Sequence, residues 1–180
     1  MLIMDKVPDI LLHSANIEVR KMNYDDILFI CKADNDESES NITYLKNQLI
    51  NQENKECSAL IAVYRGNVAG YVFLYYKCRW GGMANCGIPC VVDLIVFEKY
   101  RQKGIATVLM DEAEDIARTY ADKVYLDVCL SSRYGAAQKL YAKRGYIPDG
   151  KGVYYEGTIC EENAVCKNDD ELTLCLIKEL

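Results

Sequence analysis

The most regular hydrophobic pattern in the chain lies at residues 104–120. Apolar side chains recur there at intervals of three and four residues, which is the spacing of one face of a helix. The same spacing over shorter stretches predicts three more helices, at residues 24–32, 42–52 and 134–144, the last of which ends at Gly145.

Seven runs rich in β-branched and aromatic residues predict strands. They lie at residues 17–22, 57–64, 68–76, 89–97, 124–130, 146–155 and 172–177. Arg65, Gly66 and Asn67 join the second run to the third and are typical hairpin residues, so we expect these two strands to be antiparallel. The glycine-rich residues 80–87 are expected to form a loop.

The predicted helices and strands follow one another without a Ser-rich or Pro-rich linker. This order predicts a single α/β domain with a mixed sheet over residues 1–180. Residues 1–16 are expected to form a loose N-terminal extension of that domain. The sequence shows neither an internal repeat nor a low-complexity segment.

The charge balance of the chain is acidic and narrows the choice of partners. The 180 residues include 21 Lys plus Arg and 27 Asp plus Glu, for a formal net charge of −6. Nucleic acids and anionic membranes bind clustered Lys and Arg, so we expect neither as a partner and favour a cationic one. No apolar run approaches the roughly 18 residues of a membrane span, and the first residues do not resemble a secretory signal. We therefore expect a cytoplasmic protein.

The chain has nine cysteines, an odd number, and no Cys-x-x-Cys pair. Reduced thiols in a cytoplasmic protein fit this distribution best. Cys86 and Cys90 could serve as metal ligands, but the single histidine, His13, and the lack of a second pair leave no zinc-like set. We expect no metal site.

The start of the helix predicted at residues 104–120 carries unusual charge. Helices usually begin with a capping side chain and acidic residues, which satisfy the free N–H groups and the positive end of the helix dipole. Here Lys99, Arg101 and Lys103 surround the start, and the first acid inside the helix is Asp111. An external anion would relieve this repulsion and could approach the backbone at Gly104, so the segment predicts a phosphate site. The alternative is a tight turn with solvated cations around it.

Two blocks of sequence resemble motifs of the GNAT superfamily of N-acetyltransferases. Asp93-Leu94-Ile95-Val96 followed by Arg101-Gln102-Lys103-Gly104-Ile105-Ala106 is similar to its acyl-CoA binding motif. Residues 137–146, Ala-Gln-Lys-Leu-Tyr-Ala-Lys-Arg-Gly-Tyr, resemble its later motif. The resemblance implies an α/β, GNAT-like acyl-CoA N-acyltransferase fold. Such a fold has a mixed, mostly antiparallel central sheet of about seven strands flanked by about four helices, with the fourth and fifth strands splayed apart.

The resemblance also implies acetyl-CoA as the cosubstrate. Family members bind the pyrophosphate to backbone N–H groups of the motif turn and pair the pantetheine arm with the preceding strand. Carried over to this chain, the cofactor-binding residues are Leu94, Ile95, Val96, Arg101, Gln102, Lys103, Gly104, Ile105, Ala106 and Thr107. The chain departs from the family pattern at Tyr134, where many members carry an Asn that contacts the pantetheine.

Tyr141 and Asp93 are the predicted catalytic residues. Tyr141 aligns with the tyrosine that protonates the departing CoA thiolate in many family members; the alternative is packing, since an apolar helix face is an ordinary place for one of 14 tyrosines. Asp93 lies in an apolar run, where a charge is costly unless it is paired or used. It could accept the amine proton, hold the ammonium or make a structural contact. Cys129 is a less favoured nucleophile because no His lies near it in the sequence.

The predicted function is direct transfer of acetyl from acetyl-CoA to a primary amine in a ternary complex. Acidic residues within segments 34–39 and 156–171 favour a cationic small-molecule or peptide acceptor. The alternative is a CoA-binding regulatory or interaction module that keeps the fold and lacks the chemistry. The sequence leaves open the acceptor, the acyl-chain selectivity and whether the protein is a homodimer.

Overall fold

The computed structural model describes residues 10–14 and 16–180. They form two compact units. The first unit contains the described chain up to Leu74 and Asp93–Asp115, and the second contains Tyr75–Val92 and Ile116–Leu180.

All four predicted helices and all seven predicted strands are present, with ends shifted by a few residues at most. The helices are α1 Asp26–Asp34, α2 Glu39–Glu53, α3 Ile105–Arg118 and α4 Gly135–Lys143. The strands are β1 Ile10–Ser14, β2 Ile17–Lys21, β3 Cys57–Tyr64, β4 Asn67–Tyr75, β5 Cys90–Val96, β6 Lys123–Cys129, β7 Ile147–Tyr155, β8 Thr158–Ile159 and β9 Leu172–Glu179.

Two strands were not predicted from the sequence. β1 lies within the stretch predicted to be loose, and its backbone pairs antiparallel with β2, with Leu12 opposite Val19. β8 has two residues and pairs with the end of β7. Neither segment has the alternation of apolar and polar residues that marks a strand. Each is recognised as a strand only from its backbone pairing with a neighbouring strand. The predicted loose extension at residues 1–9 and 15 lies outside the described residues and stays a prediction there.

In the first unit the strands lie in the order β1-β2-β3-β4-β5. β2 pairs antiparallel with β3 from Ile17↔Tyr64 to Lys21↔Leu60. The predicted hairpin turn joins β3 to β4, with positive φ at both Arg65 and Gly66, as a two-residue turn of this kind requires.

Two side-chain contacts fix the first two helices on these strands. Asp26, the buried first residue of α1, accepts two hydrogen bonds of 2.7 and 2.8 Å from the Arg20 guanidinium on β2. Gln52 near the end of α2 accepts a hydrogen bond from the N–H of Ala59 on β3 and donates one to the carbonyl of Met22, both at 3.0 Å.

Among the described residues no helix combines the length and apolar character needed to cross a membrane.

In the second unit β6 pairs antiparallel with β9, and β9 pairs antiparallel with β7. The first part of β5 pairs in parallel with β6, with Cys90 opposite Tyr125. The predicted glycine-rich loop packs on this sheet, because the Gly82 N–H donates to Asp127 Oδ2 on β6 at 2.9 Å. A Cβ at Gly81 would lie 2.1 Å from the same oxygen. The two glycines are therefore required for the loop to approach β6.

Replacing Gly82 with alanine should lower the melting temperature. The new Cβ would lie 2.8 Å from the Cβ of Cys175 and 3.1 Å from both Tyr154 Cζ and Asp127 Oδ1. Overpacking of this kind costs about 1–3 kcal/mol, which for a chain of this size lowers Tm by about 2–4 °C per kcal/mol. Calorimetry of Gly82→Ala beside Gly135→Ala checks this, because a Cβ at Gly135 has no atom within 4 Å apart from its chain neighbours and its own helix backbone. Equal melting temperatures for the two variants would contradict the close approach.

Candidate functional site

The backbone of β5 changes conformation at Asp93. Its φ of 51° lies in the left-handed region, which Asp and Asn adopt more readily than other residues with a side chain. A local break of this kind re-aims side chains along a strand. The Asp93 side chain is exposed to solvent, although the run of sequence around it is apolar.

The peptide groups after Asp93 face two different edges of β5. A Cβ on Gly70 of β4 would lie 2.4 Å from the Ile95 carbonyl oxygen, and the Phe97 N–H donates to the Ala69 carbonyl at 3.1 Å. Ile95 and Phe97 therefore face β4. Because alternate residues of a strand face opposite edges, Leu94 and Val96 face away from β4. Of the three strand residues predicted to bind the cofactor, these two have peptide groups directed outward.

The start of α3 forms an open turn in the first unit. Gly104 has a φ of 81° and Gln102 a φ of 59°, and the Val108 N–H donates to the Gly104 carbonyl at 3.1 Å. The N–H groups of Ile105 and Ala106 precede this bond, so helix geometry gives them no acceptor inside the helix. A Cβ on Gly104 would have only its chain neighbours within 4 Å.

The motif turn is cationic as well as open. The Arg101, Gln102, Lys103 and Thr107 side chains are exposed, whereas the Ile105 side chain is buried and leaves only its backbone for a ligand. Arg101 Nε donates to the Val96 carbonyl at 3.3 Å, which joins the turn to β5. Lys103 Nζ lies 5.8 Å from the ring centre of Tyr64. The first unit thus brings the predicted cofactor-binding residues together at the end of β5 and the start of α3, with N–H groups and cations suited to an anion.

Two carboxylates and two phenols form a second group in the first unit, which we call the carboxylate–phenol cluster. It consists of Asp34, Tyr44, Tyr71 and Asp93. The Tyr44 hydroxyl on α2 donates to Asp93 Oδ2, and the Tyr71 hydroxyl on β4 bonds to the Asp34 carboxylate at the end of α1. Tyr71 is buried, and the charges of both Asp34 and Asp93 raise the pKa of its phenol beyond the rise that burial causes.

Both carboxyl groups of the cluster have raised pKa values. Partial desolvation raises the pKa of Asp93, and the hydrogen bond from Tyr44 opposes that rise. Desolvation also raises the pKa of Asp34, helped by the charge of Asp36 and opposed by the hydrogen bond from Tyr71. A carboxylate with a raised pKa is a better proton acceptor than an ordinary one, and both of these carboxylates act on the Tyr71 phenol.

The predicted acid, Tyr141, lies on α4 in the second unit. Its side chain is buried, and its ring centre is 5.8 Å from that of Tyr146. Tyr134, which precedes α4, shares a hydrogen bond with Cys129; burial and the Cys129 charge raise the pKa of Tyr134 to about 12. Burial also raises the pKa of the Cys129 thiol, which disfavours its thiolate and argues further against it as a nucleophile.

Tyr44 and Tyr71 were not among the residues predicted from the sequence. Tyr44 stands in a helix whose other residues gave the apolar spacing, and Tyr71 stands in an apolar strand, so each resembled a packing residue. Their carboxylate partners are 49 and 37 positions away in the chain. The pattern of apolar and polar residues along the sequence does not reveal such a pairing.

Among the described residues, no group of three or more His, Cys, Asp and Glu side chains is arranged to hold a metal.

Comparison with known proteins extends this geometry. The model of the acetyltransferase (GNAT) family matches residues 23–146. An N-alpha-acetyltransferase of Saccharolobus solfataricus is 29% identical over 109 residues, which cover 52% of this chain and 64% of that protein. The chain therefore spans less than two thirds of that relative's length.

Solved structures share the fold at low sequence identity. A ribosomal alpha-N-protein acetyltransferase, RimL, has a TM-score of 0.71 at 8% identity and covers 95% of this chain and 94% of its own. RimL in complex with coenzyme A has a TM-score of 0.70 at 8% identity, covering 95% and 98%. A chimera of the spermidine N-acetyltransferase SpeG from Vibrio cholerae and hSSAT has a TM-score of 0.63 at 17% identity, covering 92% and 96%.

These comparisons confirm the fold class and the resemblance inferred from the two sequence blocks. The family match spans both the β5 segment with its motif turn and the later block on α4. The predicted enzyme class, an acyltransferase, agrees with it. The chain belongs to the acetyltransferase (GNAT) family.

Proposed function

We propose that this protein is an N-acetyltransferase that transfers acetyl from acetyl-CoA directly to a primary amine of a cationic acceptor. The carboxylate–phenol cluster carries this proposal. It places two carboxyl groups with raised pKa values in the same unit as the motif turn. The similar proteins include an N-alpha-acetyltransferase and a chimera of a spermidine N-acetyltransferase, and the acceptor groups in both names are amines.

The acyl donor is expected at the cationic turn. The N–H groups at the start of α3 bind the pyrophosphate, with Arg101 and Lys103 adding charge. The outward peptide groups of Leu94 and Val96 pair with the pantetheine arm. RimL has been solved with coenzyme A, which supports coenzyme A as the ligand of this fold.

The proposed reaction has one bond-forming step and two proton movements. The neutral amine attacks the thioester carbonyl, and the C–S bond then breaks as the tetrahedral intermediate collapses. Asp93 accepts the proton that the amine loses, and Tyr141 supplies the proton that the departing thiolate takes. No covalent acyl-enzyme forms, in keeping with the unfavourable environment of the Cys129 thiolate.

Gly104→Asp should weaken coenzyme A binding at least tenfold, which corresponds to about 1.4 kcal/mol. The substitution places a carboxylate where the pyrophosphate is expected, and calorimetric titration with coenzyme A measures the loss. Gly150→Asp is the matched control, because Gly150 has a φ of 83° and equally open surroundings but lies on β7 in the second unit. The proposed pyrophosphate site is wrong if both folded variants bind coenzyme A equally well.

Asp93→Asn tests the acceptor side of the reaction. Asn tolerates the left-handed backbone, so the fold should be kept while the base is lost. Release of free thiol from acetyl-CoA, followed with spermidine and with peptide amines, should show kcat reduced by about 10²-fold or more. In the profile of activity against pH, the loss of activity at low pH that reports protonation of Asp93 should disappear. If Asp93 only holds the ammonium, KM rises and kcat persists.

Tyr44→Phe is the companion variant for this test. The hydrogen bond from Tyr44 lowers the pKa of Asp93, so losing it should move the low-pH limb to higher pH while Asp93 stays in place. A limb that is unchanged in both variants, with both acceptor constants intact, would show that Asp93 takes no part in the reaction.

Tyr141→Phe should keep the fold and the affinity for coenzyme A and reduce turnover by about 10²-fold. Only the hydroxyl that protonates the thiolate is removed. Tyr146→Phe is the matched control, since it removes a hydroxyl from the buried ring next to Tyr141. Equal turnover of the two variants, at wild-type rate, would assign Tyr141 to packing.

A further inference from the structure

Two cysteines of the second unit lie side by side in the segment between β8 and β9. The Sγ atoms of Cys160 and Cys166 are 3.3 Å apart and share a hydrogen bond. A disulfide has a sulfur–sulfur distance of about 2.0 Å. The two sulfur atoms therefore need to approach each other by only about 1.3 Å to reach bonding distance.

The surroundings of this pair give solvent access to both thiols. Cys160 and Cys166 are each partly exposed, and all five residues between them are exposed. Cys78 and Cys90 also share a hydrogen bond, but their residues are only 2% and 3% exposed. A dissolved oxidant can reach the first pair and not the second, because exchange requires contact between the attacking sulfur and the reagent.

The backbone on both sides of the pair is fixed to the second unit. The Cys160 N–H donates to the Val153 carbonyl on β7 at 2.8 Å. After Cys166, Asp170 forms an ion pair of 2.6 Å with Arg133, and its carbonyl accepts the Cys129 thiol at 3.2 Å. These contacts limit how far the two thiols can move apart. Once one thiol has formed a mixed disulfide, attack by the neighbouring thiol is therefore favoured over reaction with a second reagent molecule.

We propose that Cys160 and Cys166 form a thiol–disulfide exchange site, at which a low-molecular-weight disulfide such as oxidised glutathione converts the two thiols into one intramolecular disulfide. One thiolate attacks the reagent and releases the first glutathione thiol. The other thiolate then attacks the mixed disulfide and releases the second. The protein loses two electrons and two protons, and one glutathione disulfide is reduced to two thiols. The new bond closes a ring over residues 160–166.

The reaction should accelerate with pH. The hydrogen bond with Cys166, together with desolvation, raises the pKa of the Cys160 thiol. The thiolate fraction that attacks the reagent therefore increases as pH rises.

Mass spectrometry of the folded protein tests this proposal. After incubation with oxidised glutathione and an acid quench, cleavage at Lys151 and Lys167 releases residues 152–167 as one peptide that contains both cysteines. This peptide should lose two hydrogens and regain them on treatment with dithiothreitol. Cys86, which is exposed, should instead acquire glutathione and serves as the internal control for reagent access.

Cys166→Ser removes the resolving thiol and should stop the reaction at a mixed disulfide of Cys160 with glutathione. The proposal is overturned if, in the wild-type protein, residues 152–167 keep both free thiols or retain bound glutathione while Cys86 has reacted. Neither readout depends on acetyl transfer, so this result is independent of the proposed enzymatic function.

Discussion

The left-handed backbone at Asp93 is the constraint on which the candidate site depends. A residue with a side chain in that region costs about 1–3 kcal/mol, so its neighbours have to hold it there. β4 does this from one edge, where Gly70 allows the two backbones to approach more closely than a side chain would permit. The turn exposes the Asp93 carboxyl to solvent and to the Tyr44 hydroxyl. It also precedes the peptide groups of Leu94 and Val96 that face away from β4.

The first unit concentrates opposite charges at two places. Arg101 and Lys103 add positive charge to a helix start that is already positive, and Asp34 and Asp93 bring two carboxylates to one phenol, that of Tyr71. Neither set of charges is balanced by a charge of opposite sign in the contacts described above, and a ligand of opposite charge would balance each of them. An anionic acyl donor and a cationic acceptor are the pair of ligands that would balance both. The net negative charge of the chain indicates only the cationic acceptor and gives no sign of the anionic donor.

The parts of the fold and the candidate site that could be predicted from the sequence are those whose residue pattern lies within one short segment. The spacing in α3, the hairpin at Arg65 and Gly66, and the motif turn at Gly104 are all contained within short segments, and they were predicted correctly as elements. β1 and β8 depend on strand pairing for their definition, so their own residues did not reveal them. The same limit applied to the site. The motif turn was recognised because it is one short segment, whereas the Tyr44 and Tyr71 hydroxyls bond to carboxylates in distant parts of the chain.

Asp93 and Asp34 differ from a structural carboxylate in their hydrogen-bond partners, which are phenols rather than cations. In the same unit Asp26 is buried and bound by both arms of the Arg20 guanidinium, whose positive charge balances that of the carboxylate. A phenol donates one hydrogen bond and adds no positive charge, so it keeps the carboxylate ionised without neutralising it. Desolvation raises the proton affinity at the same time. The balance of the two effects suits a group that must first attract an ammonium and then take its proton.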